Sequence, residues 1–192
     1  MLSGSLSQTS ANSAALRAAG DWLVQREVTP VEIVGLGAVP PFVPELADNS
    51  PDAVVRFRAQ LDAVDAVLIA APEYAGGLAG SIKNCLDWLV GSSTLYRKTV
   101  GVLSVGTTGG IYALEQLVRT VTWQGGLVAC TLGISAPQTK MNSAGEFTDT
   151  ETLQRIHDVA DTLLRFHRSP PHEKAARLAQ IVEPYGIDPN RN

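Results

Sequence analysis

A short segment between Pro72 and Gly80 combines an acid, an aromatic ring and three glycines directly after an apolar run. The run at residues 66–71 stops at Pro72, Glu73 and Tyr74 follow, and a helical pattern begins after the last glycine. This arrangement is typical of a ligand loop at the carboxyl end of a buried parallel strand. A small loop with one planar aromatic and one acid favours a flat, partly apolar ligand that forms hydrogen bonds, such as a flavin ring, over a sugar or a metal ion.

A second group of polar residues lies near the N-terminus, ahead of another helical pattern. Ser5, Ser7, Thr9 and Ser10 supply four hydroxyls, and Asn12 adds an amide. Hydroxyl donors and the free N–H groups of a helix's first turn bind phosphate oxygens, and the helix dipole favours the negative charge. The segment has neither the Gly-Lys-Ser/Thr of a P-loop nor a G-x-G-x-x-G fingerprint. Taken alone, it is equally consistent with a mobile Ser/Thr-rich terminus.

A third loop, Gly106-Thr107-Thr108-Gly109-Gly110, follows an apolar run and precedes a helical pattern. Its glycines allow backbone N–H groups to come close to a ligand. Loops that follow parallel strands meet at one edge of a sheet. The three loops could therefore grip one mononucleotide, with its phosphate at the first loop and its ring between the second and the third.

Apolar runs that alternate with helical patterns define the elements that position these loops. The runs predict strands at residues 31–36, 66–71, 99–105 and 127–132. Helical spacing predicts helices at residues 10–27, 52–61, 81–90, 111–123 and 150–168, and residues 173–182 form a short amphipathic segment. This order indicates an α/β fold with a doubly wound parallel sheet. We expect one domain at residues 1–168, and a Ser-Pro-Pro break begins a C-terminal extension at residues 169–192.

Composition and charge narrow the function classes. The net charge of −4 supplies no basic field for nucleic acid. No apolar run approaches the roughly 20 residues that a membrane-spanning helix needs. Cys85 and Cys130 fall within apolar patterns, which predicts buried, reduced thiols and a cytoplasmic location. The histidines lack the spacing of metal ligands, so no metal site is expected.

Together the three loops resemble those of the NADPH-dependent FMN reductase family, flavodoxin-like flavoenzymes that include quinone, azo-dye and chromate reductases. The family's phosphate loop, G-S-L-R-x-x-S-x-N, is matched by Gly4, Ser5, Leu6, Ser10 and Asn12. Its ring loop and the following helix, P-E-Y-N-x-S-x-P-G-x-L-K-N-A-x-D-W, are matched by Pro72, Glu73, Tyr74, Gly80, Lys83, Asn84, Asp87 and Trp88. The resemblance covers residues 3–165.

Three departures from the family pattern affect the expected site. Ser7 stands where the family has an arginine, so a hydroxyl donor remains but a full charge is lost, and weaker FMN binding is expected. Ala75 replaces an asparagine and removes a side chain near the ring. Ala79 replaces a proline, which should make that turn less rigid.

The resemblance implies FMN as the cofactor and NADPH or NADH as the hydride donor, with these residues around the flavin. The phosphate would be held by Ser5, Ser7, Ser10 and Asn12, the ring would pack on Pro72, Glu73, Tyr74, Ala75 and Gly76, and its pyrimidine side would face Gly106, Thr107, Thr108, Gly109 and Gly110. No side chain need act as acid or base, because the flavin N5 accepts the hydride. A capping or interface role stays open for Glu73. Flavin sites of the family lie at a dimer interface built with the helix at residues 81–90, which implies a homodimer or homotetramer.

The strand count conflicts with this fold. In the flavodoxin-like strand order 2-1-3-4-5 the first strand lies inside the sheet. Here the first helix is preceded by nine residues, and Met1-Leu2 is their only pair of adjacent apolar residues. We therefore expect a first strand that is missing or truncated, either because the native protein begins upstream, which we favour, or because the sheet is remodelled.

The leading hypothesis is an FMN-dependent NAD(P)H oxidoreductase. Hydride would pass from the nicotinamide to FMN and electrons would pass on to a small acceptor: a quinone, an azo compound, a metal oxyanion or free flavin. Two alternatives stay open. A flavodoxin-type FMN electron carrier is disfavoured because such carriers are usually much more acidic than −4. A non-catalytic relative could have lost FMN together with its first strand.

Overall fold

The structure is a computed structural model that describes residues 1–7 and 9–188. Its strands are β1 (Leu2–Ser3), β2 (Ala66–Ala70), β3 (Glu73–Tyr74), β4 (Gly77–Leu78), β5 (Thr99–Gly106) and β6 (Leu127–Ser135). Its α-helices are α1 (Ala11–Val24), α2 (Asp52–Asp62), α3 (Gly80–Asp87), α4 (Ile111–Trp123), α5 (Thr150–Arg168) and α6 (Pro171–Val182). Four parallel strands form one sheet in the order β1-β2-β5-β6, and β3 and β4 form a separate antiparallel hairpin.

The predicted α/β fold with a parallel sheet is confirmed. Helices α4 and α5 begin and end at the predicted residues, and α1, α2 and α3 differ from prediction by at most three residues at either end. The amphipathic segment at residues 173–182 lies within α6. Strand β6 is longer than predicted, since it continues to Ser135.

The first strand is present but only two residues long, so the expectation that it is missing is wrong and the alternative of a truncated strand is confirmed. Leu2 and Ser3 pair with Ile69 and Ala70 of β2. The backbone N–H of Gly4 continues this pairing by donating to the Ala70 carbonyl at 2.7 Å. Two residues leave no recognisable apolar run, which is why the sequence pattern does not reveal the strand.

The predicted strand at residues 31–36 does not form. Ile33 pairs with Leu2 as an isolated parallel bridge, and a 3-10 helix follows. The Gln60 side chain occupies both backbone groups of Val34, because its Oε1 accepts the N–H at 3.0 Å and its Nε2 donates to the carbonyl at 3.1 Å. The five-strand order 2-1-3-4-5 is thereby reduced to four strands with a single bridge beside β1.

The sheet divides the core into two layers. Helices α1 and α5 pack on one face, and α2, α3, α4 and α6 contribute to the cluster on the other. The C-terminal extension belongs to this second layer, because Leu178 and Val182 of α6 are buried in it. Cys85 and Cys130 are free and buried, and burial raises the pKa of each thiol to about 12. Within the described part of the chain, the helices are too short or too polar to cross a membrane.

Candidate functional site

The first loop leaves β1 at Gly4 and leads into α1, whose N-cap is Ser10. The Ser10 Oγ accepts the backbone N–H of Asn12 at 3.2 Å, and the residue is only 9% exposed. The Ser5 Oγ accepts the backbone N–H of Ser7, also at 3.2 Å. Both hydroxyls still have their own hydrogen to donate, and Ser7 is exposed beside them. This arrangement can bind an anion in front of the α1 N-terminus.

Asn12 does not face the first loop with its side chain. The residue is 3% exposed, its Nδ2 donates to the Val105 carbonyl at 3.0 Å, and its Oδ1 accepts the Val105 N–H at 2.9 Å. These two bonds join the start of α1 to the end of β5. The side chain of Asn12 therefore positions the first loop instead of lining a phosphate site, which differs from the predicted contact.

The second loop is a tight hairpin formed by β3 and β4. Ala75 and Gly76 connect the strands, and both have positive φ angles, 51° and 70°. A two-residue turn with positive φ at both positions is type I′, for which Asn-Gly is the preferred sequence. The positive φ of this position therefore explains why the family pattern has asparagine where this chain has Ala75. Tyr74, just before the turn, is 62% exposed.

Ala75→Asn should stabilise the protein by about 1 kcal/mol, because alanine is strained at positive φ whereas asparagine tolerates it. Urea denaturation followed by circular dichroism measures the change. Ala75→Thr is the matched control: a β-branched residue at this φ increases the strain and should lower the free energy of unfolding. A loss of stability in Ala75→Asn would contradict the type I′ assignment.

Glu73 joins the second loop to the third. Its Oε2 accepts the backbone N–H groups of Tyr112 at 2.8 Å and Ala113 at 3.2 Å, and its Oε1 accepts the Thr108 hydroxyl at 3.2 Å. Helix α4 has no cap from its own N-cap residue, Gly110. The carboxylate of Glu73, which belongs to β3, supplies that cap. Its negative charge is stabilised by the positive end of the helix dipole. The capping role left open for Glu73 is the one its side chain performs.

The third loop is held against the end of β5 by close backbone packing. Gly110 has a φ of 68°, and a Cβ at this position would overlap the side chain of Ser104. Ser104 is fully buried, and its Oγ donates to the Ala71 carbonyl at 2.7 Å. Thr107 and Thr108 remain exposed at the crest of the loop.

Two serines that sequence reasoning missed complete the connections among the loops. Ser104 joins β5 to the second loop, and Ser81 Oγ donates to the Gly4 carbonyl at 2.6 Å, which joins α3 to the first loop. A lone serine in an apolar strand, as at position 104, is the signal that could have been used, since a buried hydroxyl requires a partner.

Residues of the family motif on α3 are structural. Asn84 and the fully buried Trp88 both donate to the Pro40 carbonyl, at 2.9 Å and 2.8 Å. Lys83 and Asp87 form an i,i+4 ion pair at 2.6 Å. The specific part of the motif therefore fixes α3 and the proline-rich segment behind the loops.

Two glycines point to a ligand beside the second and third loops. Gly80 and Gly106 have φ angles outside the positive range, and a Cβ added to either would meet no atom within 4 Å. Every other glycine of the chain either has a positive φ or would bring a Cβ within 4 Å of other atoms. Neither conformation nor packing accounts for Gly80 and Gly106, and the open space beside their backbone has room for a ligand.

The donor set fits a mononucleotide. Hydroxyls and a helix N-terminus suit its phosphate, and open glycine backbone suits a flat ring. In residues 1–7 and 9–188, no group of three His, Cys, Asp or Glu side chains could hold a metal ion. The fold and the three connected loops define a flavodoxin-like α/β protein with a mononucleotide-type site.

Residues 1–138 match the family described as NADPH-dependent FMN reductase, and the chain belongs to that family. An NAD(P)H-dependent FMN reductase of Pseudomonas aeruginosa is 42% identical over 88 residues, which are 45% of this chain and 46% of that protein. An NADPH:quinone oxidoreductase of Arabidopsis thaliana is 29% identical over 178 residues, 86% of this chain and 89% of that protein. The solved structure of the NAD(P)H:(acceptor) oxidoreductase FerB from Paracoccus denitrificans has the same fold, with a TM-score of 0.70 and 23% identity over 86% of this chain and 94% of that one.

Proposed function

We propose that this protein binds FMN and uses NAD(P)H to reduce a small electron acceptor. The observation that carries the proposal is the pair of glycines, Gly80 and Gly106, that no protein contact explains. They flank the second and third loops, which the Glu73 carboxylate holds together. Membership of the NADPH-dependent FMN reductase family supports the same ligand.

Within this proposal, the chain binds and orients the cofactor, and FMN supplies the hydride chemistry. Ser5, Ser7 and Ser10 hold the phosphate together with the N-terminus of α1. The backbone from Pro72 to Gly76 supports the ring. Backbone N–H groups of residues 106–110 stabilise negative charge on the pyrimidine side.

The relatives support part of the proposed acceptor class. The chain is similar to proteins named NADPH:quinone oxidoreductase and to an NADPH azoreductase of a Bacillus species. We propose a quinone, an azo compound, a metal oxyanion or free flavin as the acceptor. Tyr74, at the crest of the hairpin, is exposed and can contact an acceptor of this size.

We also propose a homodimer or homotetramer in the cytoplasm. Tyr74, Ile111 and Tyr112 lie beside the second and third loops and are each more than half exposed. Val90, Tyr96 and Trp123 line a mainly apolar cleft of about 610 Å³ next to α3. A second copy would cover such side chains, and light scattering at graded protein concentrations measures the mass of the assembly.

The proposed cytoplasmic location is supported by the two free, buried cysteines, which suit a reducing compartment.

The function is tested by anaerobic mixing of FMN-loaded protein with NADPH and, separately, with NADH. We expect at least one nicotinamide to bleach the visible flavin absorbance within seconds, and a quinone added afterwards to restore it. Protein that binds FMN but is bleached by neither nicotinamide would be an electron carrier. Protein that takes up no FMN would contradict the whole proposal.

A further inference from the structure

The first loop lacks a charged group for the phosphate that it is proposed to hold. Ser7 stands at the arginine position of the family loop, and residues 4–10 include no charged side chain. A phosphate monoester carries close to two negative charges near neutral pH. Hydroxyls and a helix dipole bind it more weakly than an arginine, which can donate two parallel hydrogen bonds.

Arg17 is a cation close to this loop for which the described part of the chain supplies no partner. The side chain is exposed on α1, and it takes part in none of the hydrogen bonds or ion pairs found among residues 1–7 and 9–188. Helical side chains lean toward the N-terminus of their helix. Ser13 lies one turn earlier on the same face of α1, and both residues line the cleft beside the first loop.

Arg17 and the first loop line one cleft of about 370 Å³. Four serines line it together with Arg17, namely Ser3, Ser5, Ser7 and Ser13, and the hydroxyls of Ser3 and Ser13 are hydrogen-bonded to each other at 2.7 Å. The opposite wall is formed by residues 32–37, which contribute one carboxylate, Glu32. A cluster of hydroxyls with a single unpaired guanidinium has the chemistry of a phosphate site.

We propose that Arg17 supplies the positive charge that the family arginine supplies elsewhere, so that the cation of the FMN phosphate site has moved from the loop, at Ser7, to the second turn of α1. This inference rests on the proposed FMN binding. Arg17 is then a cofactor-binding residue that sequence motifs do not identify, because it lies outside the family loop.

Titration of flavin-free protein with FMN and with riboflavin, followed by flavin fluorescence, tests the inference. The two ligands differ in the phosphate alone. In Arg17→Gln we expect the Kd for FMN to rise about 10- to 100-fold. The Kd for riboflavin should stay unchanged, and the salt dependence of FMN binding should become shallower. Arg177→Gln is the charge-matched control and should change neither Kd. Arg177 is exposed on α6, and this helix packs against β6, the edge strand farthest from β1.

Compensating variants sharpen the result. Adding Ser7→Arg to Arg17→Gln should restore FMN affinity to within a few-fold of the wild type, because it returns the cation to the family position. Glu32→Gln should tighten FMN and leave riboflavin unaffected, since it removes the one carboxylate of the cleft.

An unchanged FMN Kd in Arg17→Gln would overturn the inference. If the KM for NADPH but not for NADH rose at the same time, the result would assign Arg17 to the nicotinamide substrate instead. Failure of the proposed function looks different, because the wild type would then bind neither flavin.

Discussion

Gly110→Ala is expected to lower the free energy of unfolding by about 3 kcal/mol, the sum of a strained backbone and an overlapping side chain. The φ of 68° disfavours any residue with a Cβ. The new methyl group would also overlap Ser104, which cannot move aside without losing its hydrogen bond to the Ala71 carbonyl. Because Gly110 is the N-cap of α4 and the last residue of the third loop, the loop should shift as well, and FMN affinity should fall together with stability.

Gly76→Ala separates the two contributions to this loss. Gly76 has nearly the same φ, 70°, but a Cβ there would meet no atom within 4 Å. Only the strain applies, and a loss of about 1 kcal/mol is expected. Urea unfolding of both variants gives the difference, which measures the overlap with Ser104. Equal losses at the two positions would show that Ser104 does not restrict the third loop.

Asn12→Ala is expected to lower the free energy of unfolding by about 3 kcal/mol, because it leaves a buried N–H and a buried carbonyl of Val105 without partners. Hydrogen exchange provides a local measurement, since the Val105 amide should lose protection more than the amides at the centre of β5. FMN binding should weaken too, although the side chain faces away from the loop, because the start of α1 would no longer be fixed to the sheet.

Asn142→Ala is the matched control for this variant. Asn142 also makes several hydrogen bonds, to Glu146 and to the backbone of residues 144 and 146, but it lies on the surface. Water can replace those bonds, and a loss below about 1 kcal/mol is expected. A similar loss in the two variants would mean that burial of the Asn12 amide contributes little.

The helices and the three loops could be predicted from the sequence because each has a local signature. The apolar residues of α4 recur at helical spacing and begin directly after a pair of glycines, so both of its ends were predictable. The strand β5 is buried on both faces and reads as an unbroken apolar run. Elements of this kind carry their information within a few consecutive residues.

The features that the sequence did not reveal depend on residues far apart in the chain. Val34 is prevented from joining the sheet by Gln60, and α4 is capped by Glu73, 39 residues before Tyr112. Asn12 matches the family phosphate loop, yet its side chain bonds to Val105, 93 residues away. Residue type indicated that these positions mattered, but only the tertiary contacts show what each side chain does.

The hairpin of β3 and β4 is secured at its base on both strands, by Glu73 on one and by the Leu78 N–H, which donates to Gln116 Oε1 at 2.9 Å, on the other. Both strands are anchored to α4, because Tyr112, Ala113 and Gln116 lie on that helix, and the side chains of residues 74–76 form none of these anchoring bonds. Substitution of the exposed Tyr74 side chain therefore leaves these anchors in place, and under the proposed function a library at this position varies the contacts to the acceptor while the backbone proposed to support the ring is unchanged. Directed evolution of acceptor range has its natural starting point there.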